Sequence, residues 1–77
     1  MIEEHSSVVL TEPLPAAGLE AGDVEVIVHV HLNGQAYEVE FMTLDGSTLS
    51  IETLTAKQIR AARSRDIPHV RERAVAV

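Results

Sequence analysis

The 77-residue sequence contains no cysteine, no tryptophan, and only one tyrosine and one phenylalanine. The lack of cysteine excludes a disulfide framework, a thiolate nucleophile and any cysteine-based zinc or iron–sulfur site. No stretch approaches the roughly 18 consecutive apolar residues of a membrane-spanning helix. A chain this short forms one domain at most, and its supply of Val, Leu, Ile and Ala makes a thin core. Small domains of this kind often oligomerise.

Basic residues are absent from the first 56 positions, which hold ten of the twelve Asp and Glu residues, whereas all six Lys and Arg residues lie from Lys57 onward. The chain is therefore an acidic body joined to a basic end, and the two should attract each other within one chain or between two. The acidic body repels phosphate, and the basic end has no aromatic residues for base stacking, so we do not expect a nucleic-acid partner. The acidic N-terminus does not resemble a secretory signal, which predicts a cytoplasmic protein without a membrane partner.

Alternating residues from Val24 to Leu32 predict a half-buried strand, and Asn33-Gly34 predicts a type I′ hairpin turn. That turn sets the register of the two strands it joins. The predicted inner pairs are Val30 with Tyr37, Val28 with Val39, and Val26 with Phe41. The predicted outer pairs are His31 with Ala36, His29 with Glu38, Ile27 with Glu40, and Glu25 with Met42.

Three further elements are predicted around this hairpin. The apolar run 8–10 predicts a first strand, and a three-residue loop at 44–46 with a left-handed Gly46 would align Phe41 with Leu49 and Val39 with Ile51. Thr55 and Gln58 have the spacing of a capping box, which predicts a short helix that ends before Pro68. The expected organisation is a flexible N-terminus at 1–7, a β domain at 8–60 and a basic C-terminal extension at 61–77.

The segments "VVLTEPLP" at 8–15, "GLEAGDV" at 18–24 and "AYEVEF" at 36–41 make the sequence resemble a small bacterial family, the domain of unknown function 4926. "DG" at 45–46 and "TL" at 53–54 extend the likeness, which covers roughly residues 8–60. The resemblance implies a mainly β fold, a small SH3-like barrel of four or five antiparallel strands, and it brings no catalytic residues. The sequence departs from the family pattern at Glu25, where a glycine is usual, and in its basic end from about Arg60.

Two histidines and a glutamate form the candidate metal site, because the predicted register places His29, His31 and Glu38 on one outer face. Against a metal, two His on one strand point in parallel, and no third element supplies a closing ligand. The favoured interpretation is a solvated face with a cross-strand pair between His29 and Glu38. That pair would favour protonated His29, which suggests a weak pH-dependent contact.

No catalytic residues are predicted, because the acids are not enclosed and no serine lies in a nucleophile motif. The four glycines do not form a phosphate-binding motif, and no cofactor is predicted. The arginines of the basic end suit pairing with carboxylates, so we predict a protein-interaction surface there. Its candidate residues are Arg60, Arg63, Arg65, Arg71 and Arg73, with Ile27, Tyr37 and Met42 as apolar contacts.

The sequence thus predicts a non-enzymatic interaction module that self-associates, as a homodimer, through its C-terminal end. A first alternative is an antitoxin-like or accessory regulator that binds a basic partner protein encoded by a neighbouring gene. A second is metal binding through His29 and His31.

Overall fold

The computed structural model describes residues 1–72 and contains five β-strands and two single turns of 3-10 helix. The strands are β1 (Ser7–Leu10), β2 (Val24–His31), β3 (Ala36–Met42), β4 (Thr48–Thr55) and β5 (Ile59–Ala61). They form one antiparallel sheet in the order β4-β3-β2-β1-β5. The predicted mainly β fold of four or five antiparallel strands is confirmed. Within residues 1–72 the sheet is open, with β4 and β5 at its two edges.

The core lies on one face of this sheet and uses a little over half of the large apolar side chains of its strands. Tyr37, Val39 and Phe41 alternate along β3 and are almost completely buried. Their burial follows from the period of two residues, which sends every second side chain of a strand to the same face. The other buried apolar residues are Val8, Val9, Leu10, Leu19, Ile27, Leu54 and Ile59.

The β2–β3 hairpin has the predicted turn but only half of the predicted register. Asn33 (φ 56°) and Gly34 (φ 94°) both adopt the left-handed conformation that a type I′ turn requires. The pairs closest to the turn, including Val30 with Tyr37 and His29 with Glu38, are as predicted.

Beyond those pairs a β-bulge lies between Ile27 and His29 and shifts β2 by one residue. Ile27 therefore stands opposite Val39 with no solvent exposure, and Val26 stands opposite Glu40. The predicted inner positions of Val26 and Val28 and the outer position of Ile27 are wrong. The shift has a physical reason, because the bulge buries the larger Ile27, whose extra methylene adds about 0.8 kcal/mol of apolar burial.

The β3–β4 hairpin repeats this behaviour. Gly46 is left-handed as predicted (φ 87°), and Met42 pairs with Thr48 in the predicted register. A second irregularity next to Phe41 then changes the register, so that Phe41 faces Ser50 and Glu40 faces Ile51. The predicted pairs of Phe41 with Leu49 and of Val39 with Ile51 are wrong. Ile51 is 54% exposed, whereas Leu54 is buried opposite Tyr37.

The predicted helix after Leu54 is also wrong, because the chain makes a tight turn there and continues as β5. One of the two capping-box hydrogen bonds nevertheless forms, because the Thr55 N–H donates to Gln58 Oε1 at 2.8 Å. The Gln58 N–H donates to the Thr55 carbonyl, at 3.0 Å, instead of to the Thr55 side chain. The same two hydrogen bonds close a turn as well as they begin a helix. Pairing of β5 with β1 then gives residues 59–61 backbone hydrogen-bond partners on one side of the strand.

The connection between β1 and β2 crosses the end of the sheet and presents a small acidic turn. Leu19 is buried in the core, and the Gly22 N–H donates to the Leu10 carbonyl at 2.7 Å. The Glu20 N–H donates to the Asp23 carboxylate at 2.9 Å, and the Asp23 N–H donates to the Glu20 carbonyl at 3.1 Å. These hydrogen bonds fix the Asp23 carboxylate at the surface beside the first residue of β2.

Candidate interaction surface

An apolar groove of about 730 Å³ lies at the end of the sheet where β2 begins and β3 ends. Its floor comprises buried Leu19 and Phe41 and the half-buried Leu49, and its rim includes the exposed Val24, Met42 and Leu44. The remaining wall is formed by residues 68–72 of the C-terminal segment. We call this feature the end groove.

The bulge in β2 delivers Glu25 to the end groove, because the shifted register turns this residue toward the face that carries Phe41. The Glu25 carboxylate accepts a hydrogen bond from the Met42 N–H. Desolvation nevertheless raises the pKa of Glu25, and the neighbouring Glu40 and Asp23 carboxylates act in the same direction. The groove therefore combines an apolar floor with a partly desolvated acid.

The chain after β5, residues 62–72, runs back across this end of the sheet, and we call it the C-terminal strap. Its residues from 62 to 70 are exposed, and Arg71 is the half-buried residue that ties it down. Arg71 Nε donates to Asp23 Oδ1 at 2.9 Å, and Nη2 donates to Asp23 Oδ2 at 2.6 Å. Nη2 also donates to the Gly18 carbonyl at 3.1 Å, and Nη1 lies 3.4 Å from Glu20 Oε2.

This bidentate arrangement is the strong form of an arginine–carboxylate pair. The hydrogen bonds from Arg71 are the main reason that the pKa of Asp23 is lowered, and those to Asp23 raise the pKa of Arg71. The attraction predicted between the acidic body and the basic end is thus realised within one chain at Arg71.

A second arginine of the basic end is also paired within the chain. Arg60 donates to both oxygens of Asp66, at 2.9 and 3.0 Å, and the Arg63 N–H donates to Asp66 Oδ2 at 2.7 Å. The Arg60 guanidinium and the Arg63 N–H lower the pKa of Asp66 to about 2. These contacts fold residues 60–66, which include the first part of the strap, into a compact turn.

The other predicted interaction residues fall in different places. Arg63 and Arg65 are exposed, and Arg73 lies outside the described residues. Met42 is exposed on the rim of the end groove. Ile27 and Tyr37 are buried in the core, so neither is available to a partner in this fold.

The histidines of β2 lie together on the outer face, but their carboxylate partners differ from the prediction. His31 Nε2, rather than a nitrogen of His29, lies 3.3 Å from Glu38 Oε1. His29 Nδ1 lies 3.5 Å from Glu4 Oε1, and the two imidazole rings meet edge to face with centroids 4.5 Å apart. Among residues 1–72 no group of three or more His, Cys, Asp or Glu is arranged to hold a metal ion. Nor does that part of the chain include a helix with the length and apolar character needed to cross a membrane.

Comparison with known proteins identifies the family. The model of the family described as Domain of unknown function (DUF4926) matches residues 4–61. The chain belongs to this family. The match ends where the compact turn and the strap begin, so Arg71 lies outside the matched region whereas Asp23 lies inside it. A search of curated proteins and a search of solved structures each returned no significant match.

Sequence reasoning missed the acidic side of this surface. Neither Glu20 nor Asp23 was among the predicted interaction residues, whereas both pair with Arg71. The charge asymmetry of the chain was the available signal. It predicted attraction between the two parts, but it did not indicate which carboxylates and which arginine would meet.

Proposed function

We propose that this member of the DUF4926 family is a non-enzymatic interaction module that self-associates by exchanging its C-terminal strap. The observation that carries the proposal is the clamp of Arg71 on Asp23 beside the end groove, whose remaining wall is the strap itself. A second copy presents the same arginine and the same acidic turn. The contacts made within one chain are therefore equally available between two chains.

The character of the strap supports exchange. It is a mostly exposed segment whose side-chain attachment to the acidic turn runs through Arg71. Detachment therefore exposes the end groove without breaking a pair of sheet strands. In a dimer formed in this way, each groove would be covered by the strap of the other copy.

Exchange must compete with the attachment of the strap to its own groove. The short connection through residues 62–66 gives the intramolecular contact a high effective concentration. We therefore expect a monomer in dilute solution and a dimer as the protein concentration rises. Symmetric two-fold dimers are the most common oligomers, because one self-complementary contact closes them.

Charge reversal tests the exchange directly. Asp23→Arg and Arg71→Glu each replace the clamp by a like-charge contact, so each variant alone should be monomeric. An equimolar mixture restores opposite charges in both possible contacts between the two variants. We expect the mixture, equilibrated at high concentration, to form a heterodimer by size-exclusion chromatography with light scattering.

Arg65→Glu serves as the matched control, since it makes the same charge change at an exposed residue of the basic end. This variant should self-associate as the unmodified protein does. Mixed with Asp23→Arg, it should not form the heterodimer that the two clamp variants form. A mixture of the two clamp variants that stays monomeric, while the unmodified protein is a dimer, would refute strap exchange. If the unmodified protein is monomeric at every concentration, self-association itself is refuted.

A second candidate function is recognition of a basic partner protein, as expected of an accessory or antitoxin-like regulator. It is favoured by the absence of Lys and Arg from residues 1–56, which include four of the five strands. No catalytic residue and no cofactor form part of either candidate.

A further inference from the structure

The order of the strands separates charge across the sheet. The edge at β4 and its neighbour β3 carries Glu38, Glu40 and Glu52 and no basic residue. The opposite edge at β5 carries Arg60 and is followed by Arg63 and Arg65. The sheet therefore has an acidic edge and a basic edge.

The acidic edge is also a long unpaired strand. β4 spans eight residues, Thr48–Thr55, and its outer side has no strand beside it within the described part of the chain. Proteins commonly protect such edges with proline or with charged side chains, and β4 contains no proline and a single charged residue, Glu52. Ile51 is 54% exposed on this strand. The edge thus offers unpaired backbone groups beside an apolar side chain.

The glutamates of β3 are held along β4 by hydroxyl groups. Thr48 Oγ1 donates to Glu40 Oε2 at 2.6 Å, and Thr53 Oγ1 donates to Glu38 Oε1. These two threonines flank Ile51, so carboxylates lie on both sides of the exposed apolar residue. The Thr53 and His31 contacts lower the pKa of Glu38, which favours its charged form. A segment that adds to β4 would meet negative charge along its length.

A second copy of this chain is a poor occupant of the β4 edge. Antiparallel addition of two β4 strands would bring two acidic edges together, each with its own Glu52 and with the carboxylates that Thr48 and Thr53 hold, and like charges at such a junction are destabilising. A basic segment is attracted by the carboxylates at this edge, whereas a second copy is repelled by them. Its backbone pairs with β4, and its cationic side chains meet the carboxylates.

We infer that the outer edge of β4 is a docking site for an extended, lysine- or arginine-rich segment of a partner protein, which adds to the sheet as a sixth strand. The site is distinct from the acidic turn that binds Arg71. It gives the second candidate function a location and a recognition chemistry, and it does not require self-association.

A synthetic peptide tests this inference, and its effects are read from the amide resonances of the isotope-labelled full-length protein. The probe is acetyl-Lys-Val-Lys-Val-Lys-Thr-Lys-amide, which alternates cationic and β-forming residues. We expect its addition to shift the amides of residues 48–55 and to slow hydrogen exchange at alternate positions of β4. Binding should weaken as salt is added, because exposed charges are screened.

Three control peptides separate strand addition from simple charge attraction. A version with glutamate at every lysine should not bind. Two further versions carry N-methyl groups at alternate backbone positions, one on the side of the peptide that would bond to β4 and one on the opposite side. Both keep the charge, and each lacks the hydrogen-bond donors on its methylated side. Methylation of the bonding side should abolish protection of β4. Equal binding by both methylated forms would overturn strand addition.

Protein variants test which carboxylates contribute to binding of the cationic peptide. Glu52→Lys should weaken binding of the cationic peptide by about threefold to tenfold, as expected for reversal of a half-buried charge at a sheet edge. Glu3→Lys makes the same change in the segment before β1 and should have a smaller effect. If Glu52→Lys does not fold, Glu38→Gln gives the same comparison with a milder change. Equal loss in the edge and control variants, or peptide shifts confined to the end groove, would overturn the inference.

Strap exchange and edge docking can fail independently. The charge-reversal mixture measures mass and depends on Asp23 and Arg71, whereas the peptide titration measures amides of β4. A protein that remains monomeric can still bind the peptide, and a protein that dimerises can fail to bind it.

Discussion

Ile27 is the clearest example of a side chain whose role depends on one irregularity in a strand. The alternation of β2 assigns it to the outer face, but the bulge turns it into the core opposite Val39. Glu25, two residues earlier, is turned toward the end groove by the same shift. One inserted residue therefore supplies both a core contact and an acidic groove wall.

We predict that Ile27→Ala lowers the free energy of unfolding by about 2–5 kcal/mol, because it leaves a cavity in a thin core. Ile51→Ala should change it by about 0.5 kcal/mol or less, since Ile51 is largely exposed. Chemical denaturation followed by circular dichroism measures both. The reverse order of effects would contradict the observed register.

Asp23 makes the attachment of the strap dependent on pH. Its pKa is lowered from an ordinary value of 3.8, chiefly by the hydrogen bonds from Arg71. A carboxyl group whose folded-state pKa is lowered contributes stability that is fully present above its unfolded-state value and is lost as the pH falls through the folded-state value. We therefore predict that the strap detaches only below about pH 4.

The Arg71 Nε–H resonance reports this detachment. It should keep its hydrogen-bonded position from neutral pH to the ordinary pKa of Asp23 and move toward the solvent-exposed position below it. Asp23→Asn retains the shape of the side chain but not its charge. In this variant the chemical shift of the Arg71 Nε–H should differ little from that of the unmodified protein at neutral pH, and it should not depend on pH in this range. A transition near pH 6 would instead indicate that a histidine controls the strap.

The turn between β4 and β5 shows how a correct local contact can accompany a wrong element. Gln58 accepts the Thr55 N–H and also donates from Nε2 to Glu12 Oε1 at 3.1 Å. Both contacts support the turn that directs β5 toward β1. The spacing predicted the contact between Thr55 and Gln58 but not the element after it, because only pairing with β1 decides that a strand follows.

Gln58→Ala should destabilise the fold by about 0.5–1.5 kcal/mol, through loss of the hydrogen bond to Thr55. Lys57→Ala, at the exposed position beside it, should have little effect. Thermal unfolding of the two variants provides the comparison. If the two variants lose equal stability, the Gln58 side chain does not hold the turn.

Sequence patterns predicted the parts of the hairpins that are determined locally. The Asn33-Gly34 turn and the left-handed Gly46 follow from backbone preferences, and the pairs next to each turn follow from the turns. The pairs beyond the bulges do not follow from the turns, because the position of each bulge depends on which side chain fills the core. Leu49, Ile51 and Leu54 do not share one parity along β4, so alternation alone could not select the two that pack inward. The end groove was missed for the same reason, since it joins residues far apart in sequence.

Over residues 1–72, the chain combines an acidic sheet with a basic segment that folds back on it. The family match includes the sheet and the acidic turn but not the strap. The strap therefore adds a cation to a surface that the matched domain already provides. Exchange between copies would make that addition an assembly contact.

Salt should weaken the assembly, because Arg71 and Glu20 are both partly accessible to solvent. We predict that the dissociation constant of the dimer rises as sodium chloride is increased from about 0.05 to 0.5 M. Deletion of residues 66–77 should leave a monomer at either salt concentration. Sedimentation equilibrium measures both effects, and a truncated protein that still dimerises would place the contact elsewhere.

The most direct test of strap exchange uses an equilibrated mixture of carbon-13-labelled and unlabelled protein at a concentration where the dimer dominates. Val70 and Met42 line the same groove from the strap and from β3. We predict isotope-filtered nuclear Overhauser effects between Val70 methyl groups of one copy and the Met42 methyl group of the other. A dimer whose Val70–Met42 contacts arise only within single copies would contradict strap exchange.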